Sequence, residues 1–372
     1  MKRISQLDGV RGVAVLLVLV WHSFPCLVNA EPGSPLAYAS RLFSLTWSGV
    51  DLFFVLSGFL IAGILLDNRD APNYFRAFYL RRVCRIFPLY FLILALFIGL
   101  SATSLATSPA FQNLFQNPFP FWSYATFTQN FLMGIRGDLG ANWLAPTWSL
   151  AVEEQFYLFV PLLVYALPRR TLLWVLLVAV LTAPVLRGIS ADLLAYVNTP
   201  CRSDSLLAGA ALAVLVRWEP FMAAVRQRRG QLLALFAVLL AGAAVLTVLP
   251  AASRSLKHFW LAGLYSVFVL IAFADTEPRL GRLLRSPVLV WFGQLSYGIY
   301  MFHLPVFGLI HGALRHSDPQ IRSPLDAGIT VLALGITLGV AMLSYHFVES
   351  PILRYGHRFQ YYPKPKAEGA SA

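Results

Sequence analysis

The sequence predicts an all-α fold: a polytopic integral-membrane helical bundle of about ten transmembrane helices, with both termini in the cytosol. Three observations carry this. The chain is 58% hydrophobic and only 12% charged, far from the average of soluble domains. Apolar stretches of about 17–25 residues recur from end to end, the length needed to cross a bilayer as a helix. The basic residues are distributed asymmetrically across the loops that such helices define.

Taken in order, ten spans can be drawn, over 8–29, 43–66, 86–106, 144–167, 171–189, 204–216, 231–250, 258–274, 288–312 and 327–348. The sixth is short, which suits a tilted or broken helix. The segment 111–133, rich in Phe, Trp and Pro, reads as an interfacial or re-entrant piece. The first run contains Arg11 and is too long for a signal peptide, so it reads as an uncleaved span. With the N-terminus inside, 21 of the 29 Lys and Arg fall on the cytosolic side. The remaining eight are Arg41, Arg136, Arg187, Arg202, Arg254, Lys257, Arg315 and Arg322. That bias sets the orientation. Residues 1–355 form one membrane domain, and the polar stretch 356–372 reads as a disordered cytosolic tail.

Several function classes drop out. The net charge of +12 accumulates at one membrane face and is accompanied by no nucleic-acid-binding pattern, so nucleic acid is not an expected partner. Phosphate-binding glycine loops are missing, as is a Gly-x-Ser-x-Gly elbow. Cys26, Cys84 and Cys201 match no zinc or redox spacing, and no metal site is expected.

The informative residues are ionisable groups inside the spans, which are costly in lipid and functional candidates by default. Arg11 and His22 are eleven helical steps apart, close to three turns, so they share a face about 16 Å apart along the axis. His22, Asp51, Glu153, Glu154 and His303 fall at a similar depth on four different spans. An imidazole beside a carboxylate can deprotonate a hydroxyl that attacks an acyl carbonyl. At the inner boundary Arg82 and Arg85 have i, i+3 spacing, and arginine forks suit phosphate oxygens. Ser57-Gly58 reads as a close helix-packing point.

Six ordered segments carry a family likeness: LDGVRGVAVLLVLVWH with Arg11 and His22, GVDLFFVLSGFLI with Asp51, RRVCRIFPLY with Arg82 and Arg85, TWSLAVEEQFYLFVPLL with Glu153 and Glu154, LSYGIYMFHLPV with Tyr297, Tyr300 and His303, and YHFVESP with Glu349. Over residues 4–355 the chain resembles acyltransferase family 3, the O-antigen acetylase type of membrane acyltransferase. The resemblance implies an acyl-CoA co-substrate, with acetyl the default acyl group, and no bound cofactor. It implies a hydroxyl acceptor on a carbohydrate or lipid-linked glycan such as lipopolysaccharide, and residence among the lipids of the bacterial cytoplasmic membrane. Some relatives carry a fused extracytoplasmic hydrolase-like domain. The sequence here carries none, and the membrane domain is expected to complete the transfer by itself.

The expected roles follow. His22 is the general base, oriented by Asp51 or Glu154. Arg11, Arg82 and Arg85 bind donor phosphates. Glu153, Tyr297, Tyr300, His303 and Glu349 are acceptor or structural residues. The competing expectation is a transporter or flippase for an anionic glycan or lipid, against which the lack of internal repeats counts.

Overall fold

The computed structural model describes residues 4–31, 33–248 and 254–362. Its described residues are almost wholly helical, with no named strand and one isolated parallel bridge, Val28 to Ile321. Ten long helices follow one another: α1 Ser5–Ser23, α2 Gly49–Asp67, α3 Tyr74–Ser101, α4 Thr147–Ala166, α5 Arg169–Ile189, α6 Thr199–Leu215, α7 Arg229–Val248, α8 Arg254–Ala274, α9 Pro287–Arg315 and α10 Pro324–Ser344. Among the described residues, seven segments are long and apolar enough to cross a membrane, or eight if α6 and the helix Glu219–Gln227, bent at 97°, count as one span. The first of the seven, Pro35–Asp67, contains α2.

Helices α1 and α4 fall outside that set. These are the helices that carry Asp8, Arg11 and His22, and Glu153, Glu154 and Gln155. Their polar residues lower their hydropathy.

Close approach of backbones sets the frame. A Cβ added at Gly12 of α1 would lie 2.1 Å from the Leu289 carbonyl oxygen, and one at Gly293 of α9 would lie 2.0 Å from that of Asp8. A Cβ at Gly58 of α2 would lie 1.9 Å from the Leu206 carbonyl oxygen of α6. Small residues at such crossings let apolar helices gain dispersion contact where lipid offers no hydrophobic drive between them. The outward faces of α4, α5 and α7 are apolar: Phe159, Leu162, Trp174, Val178, Leu181, Val185 and Val238 are all exposed.

Two boundaries, those at the start of α3 and after α10, differ from the sequence expectation. Helix α3 begins at Tyr74, so Arg81, Arg82 and Arg85 project from its first three turns rather than from a loop. The segment 111–133, read from the sequence as no full span, contains no long helix. It forms the short helices Gln112–Phe115 and Phe121–Ala125 and the start of Gln129–Arg136. Helix α10 continues through a π-helical turn, Tyr345–Glu349, into Ser350–Gly356, and residues 357–362 fold back against the start of α3. The predicted tail is thus anchored as far as residue 362. Residues 363–372, with Lys364 and Lys366, lie outside the described residues, as do Lys2 and Arg3.

Candidate functional site

Three cavities are arranged along the bundle. The first is a vestibule of about 670 Å³, bordered by Asp8, Arg11, Arg81, Arg82, Arg85, His357 and Tyr361. The second is narrower, about 130 Å³, lined by Arg11, Ser57, Arg82, Arg85, Ser149, Glu153, Tyr157, Tyr297 and Tyr300 among others. Arg11, Arg82 and Arg85 border both, so the three cations stand where the vestibule passes into the narrow part. The third cavity, about 450 Å³, is lined by His22, Cys26, Asn29, Asn113, Asn142, Asp318 and Gln320.

The arginines are held without being neutralised as a group. Arg11 pairs with Asp8 one turn earlier at 3.0 Å. Arg82 lies 6.0 Å from the ring centroids of both Phe78 and Tyr157, and its Nε is buried with no hydrogen-bond partner in the structure. A buried donor without a partner is costly unless a ligand or water completes it. Helix α3 places Arg82 and Arg85 on one face, and both line the cavities that Arg11 of α1 lines.

His22 is oriented by backbone. Its Nδ1 lies 3.0 Å from the Val18 carbonyl oxygen, one turn earlier in α1. A carbonyl only accepts, so Nδ1 carries the proton and Nε2 carries the lone pair. Its ring meets that of His303 edge-on, with centroids 4.8 Å apart. His303 repeats the arrangement, with Nδ1 2.7 Å from the Tyr300 carbonyl oxygen and a buried Nε2 that has no partner.

No residue lines both the cavity at His22 and either cavity at the arginines. Between them lie His303, buried against the His22 ring, and Tyr300, which lines the narrow cavity. Its hydroxyl donates to the Pro146 carbonyl at 3.0 Å and lies 2.6 Å from Ser149 Oγ. Its ring lies 5.8 Å from that of His303. The shared depth read from the sequence therefore resolves into two chambers and a partition.

The carboxylates separate differently than the sequence predicts. Asp51 does not orient His22. It points from α2 toward α6 and α8, where Arg202 donates to it at 3.0 Å, Ser205 Oγ at 3.3 Å, and His258 Nδ1 lies at 3.2 Å. Glu154 does not orient His22 either. Its Oε1 is buried without a hydrogen-bond partner, and the residue lines none of the three cavities. Glu153 does face the narrow cavity, accepting from Ser57 Oγ at 2.9 Å and from the Tyr157 hydroxyl at 3.2 Å. The Val18 carbonyl takes the place predicted for a carboxylate. Tyr297 lines the narrow cavity and donates to the Ile86 carbonyl at 2.8 Å. Glu349 is buried in the π turn, accepting from Ser344 at 3.3 Å.

Sequence reasoning missed a buried charge network. Arg187 and Arg202, placed by the loop count on the outside, are each 1% exposed within the bundle. Arg187 pairs with Asp204 at 2.7 Å. Arg202 pairs with Asp51, contacts His258, and is surrounded by the rings of Phe54, Trp148 and Tyr196 at 5.4–5.7 Å. The available signal was that both arginines adjoin the apolar runs of α5 and α6, with acidic residues in reach.

A helical bundle with this many apolar, outward-facing spans is an integral-membrane protein, and its arginine-flanked cavity with histidines beyond defines a membrane-embedded site. The chain belongs to the acyltransferase 3 family, whose acyltransferase domain matches residues 4–346. It is 25% identical to O-acetyltransferase OatA of Staphylococcus aureus strain MRSA252, over 98% of this chain and 60% of that protein. It is 29% identical to YrhL of Bacillus subtilis strain 168, whose name assigns it provisionally to peptidoglycan O-acetylation, over 95% of this chain and 56% of that protein. A provisionally named O-acetyltransferase of S. aureus strain COL is 26% identical over 96% of this chain and 58% of its own length. The chain thus spans less than two thirds of these relatives. No solved structure matches it.

Proposed function

We propose that this protein is a membrane O-acyltransferase, moving an acyl group, acetyl by default, from acyl-CoA to a hydroxyl of a carbohydrate or lipid-linked glycan. The observation that carries the reading is the placement of three arginines at the mouth of a narrow cavity, with His22 beyond Tyr300 and His303. In the proposed step, Nε2 of His22 takes the proton of the acceptor hydroxyl. The oxygen attacks the thioester carbonyl, the carbon–sulfur bond breaks, and the thiolate leaves with the coenzyme. Arg11, Arg82 and Arg85 hold the donor phosphates by charge-assisted hydrogen bonds. Tyr300 moves aside so that the thioester reaches the histidines.

The topology proposed with this reading has all ten helices crossing the bacterial cytoplasmic membrane and both termini in the cytosol. The vestibule then opens to the cytosol, where the coenzyme is made, and the cavity at His22 faces the acceptor. The name of the Bacillus subtilis relative supports a glycan acceptor of the cell envelope. Residues 1–355 act as the membrane acyltransferase domain.

Two cavities separated by a closed constriction also suit a transporter for an anionic glycan or lipid. The test separates the two. Purified protein is given acetyl-CoA labelled in the acetyl group and envelope glycan fragments, and label transfer is followed by mass spectrometry. Transfer abolished by His22→Ala supports the enzyme. Full transfer by that variant overturns the assignment of the base, and absence of any donor turnover by the wild type overturns the enzyme.

A further inference from the structure

Part of the vestibule wall is not shared with the narrow cavity. Arg11, Arg82 and Arg85 sit at the passage into the narrow cavity, whereas Arg81, His357 and Tyr361 border the vestibule alone. A donor whose thioester arm enters the narrow cavity and whose phosphates meet the three arginines must lodge its remaining part here.

Tyr361 is built into place. Asn73 clamps the strap that carries it on both sides, donating from Nδ2 to the Gln360 carbonyl at 2.8 Å and accepting from the Tyr362 amide at 2.9 Å. This pairing uses the backbone groups flanking Tyr361 and fixes its ring at the vestibule wall. The Arg81 guanidinium lies over that ring at 5.9 Å. The Tyr361 hydroxyl is buried and has no hydrogen-bond partner in the structure. The strap follows the stretch that matches the family, which ends at residue 346.

A rigid aromatic ring with a planar cation beside it, adjoining a phosphate-binding cluster, is suited to stack a nucleobase. We propose that Tyr361, with Arg81, forms the platform for the purine base of the nucleotide-bearing donor, so that the C-terminal strap completes the donor site. The proposal rests on the donor reading above. It assigns Tyr361 as a binding residue and Asn73 as a positioning residue that acts through the strap.

The test compares two ligands on full-length protein in detergent: coenzyme A, and 4′-phosphopantetheine, which keeps a phosphate and the thiol arm but lacks the nucleoside. Tyr361→Ala is expected to weaken coenzyme A about tenfold, in line with the loss of one base–aromatic stack, and to leave phosphopantetheine unchanged. Tyr361→Phe keeps the ring and is expected to bind both as the wild type does. Asn73→Ala is expected to shift coenzyme A in the same direction as Tyr361→Ala, again without affecting phosphopantetheine. Unchanged phosphopantetheine binding also reports that each variant is folded. Equal weakening of both ligands, no weakening of either, or a Tyr361→Phe variant as poor as Tyr361→Ala overturns the platform while leaving the donor reading intact. A wild type that binds neither ligand overturns the donor reading itself.

Discussion

Replacing Arg202 by methionine removes the guanidinium from the buried network while keeping a long, unbranched side chain. Arg202 and Asp51 are each 1% exposed and 3.0 Å apart. At an effective dielectric constant of about 20, that separation corresponds to roughly 5 kcal/mol of attraction, offset by the desolvation of both charges. Removing one partner leaves the other buried and uncompensated, which costs about 3–5 kcal/mol. After Arg202→Met, Asp51 still has Ser205 Oγ at 3.3 Å and His258 Nδ1 at 3.2 Å, which favours the lower end, near 3 kcal/mol. For a protein this large, each kcal/mol shifts the melting temperature by about 2 °C, so the expected drop is roughly 6 °C. Asp51→Asn strands the arginine instead and is expected to cost about as much. The double variant is expected to melt well above the sum of the two losses, because neither charge is then left alone. The assay is thermal unfolding in detergent, alongside acyl transfer by the surviving fold. Single variants that melt like the wild type would refute the ion pair as a structural element. Should Asp51→Asn keep its melting temperature yet lose transfer by orders of magnitude, Asp51 would belong to the chemistry after all.

Three further outcomes follow from the cavities and crossings. His22→Ala is expected to lower transfer by about 10²–10⁴-fold, the usual contribution of a general base, with coenzyme A affinity unchanged in equilibrium binding; a matching loss of affinity would place His22 in the donor site instead. Tyr300→Ala enlarges the narrow cavity that Tyr300 lines and is expected to raise the rate of butyryl relative to acetyl transfer, measured by competition between the two donors; an unchanged ratio would show that Tyr300 does not bound the acyl group. Gly12→Leu forces a side chain to where even a Cβ would lie 2.1 Å from the Leu289 carbonyl; it is expected to abolish monodisperse protein on size-exclusion chromatography, while Gly99→Leu, at a position with open space around it, is expected to be tolerated.

Each of the ten apolar runs in the sequence contains or closely overlaps a long helix, because a run of that length has few alternatives once its backbone must bond internally. The cationic mouth was legible for the same kind of reason: i, i+3 spacing fixes a shared face, and Arg82 and Arg85 do line the same cavities. The azimuth of a side chain about its helix was not legible. Asp51 turns toward α6 and α8 because those helices supply Arg202 and His258. Arg187 and Arg202 were misplaced for a related reason. A positive charge next to an apolar run looks like a loop residue until its acidic partner is known, and those partners are distant in sequence or on another helix. The adjacent glutamates could not be told apart, since they diverge by about 100° on the helix, and only the packing turns Glu153 inward. The stretch 356–362 was misjudged as loose tail, because polar composition does not reveal that Asn73 binds it.

The closed state of Tyr300 has a meaning for the cell as well as for the site. A hydrophilic shaft running uninterrupted from one face of a bilayer to the other would let protons and small ions run down the electrical gradient, at about 2.3 kcal/mol per charge for each 100 mV. Tyr300, latched to Ser149 and the Pro146 carbonyl, together with the buried His303 beside it, leaves the bundle with separate recesses in place of such a shaft.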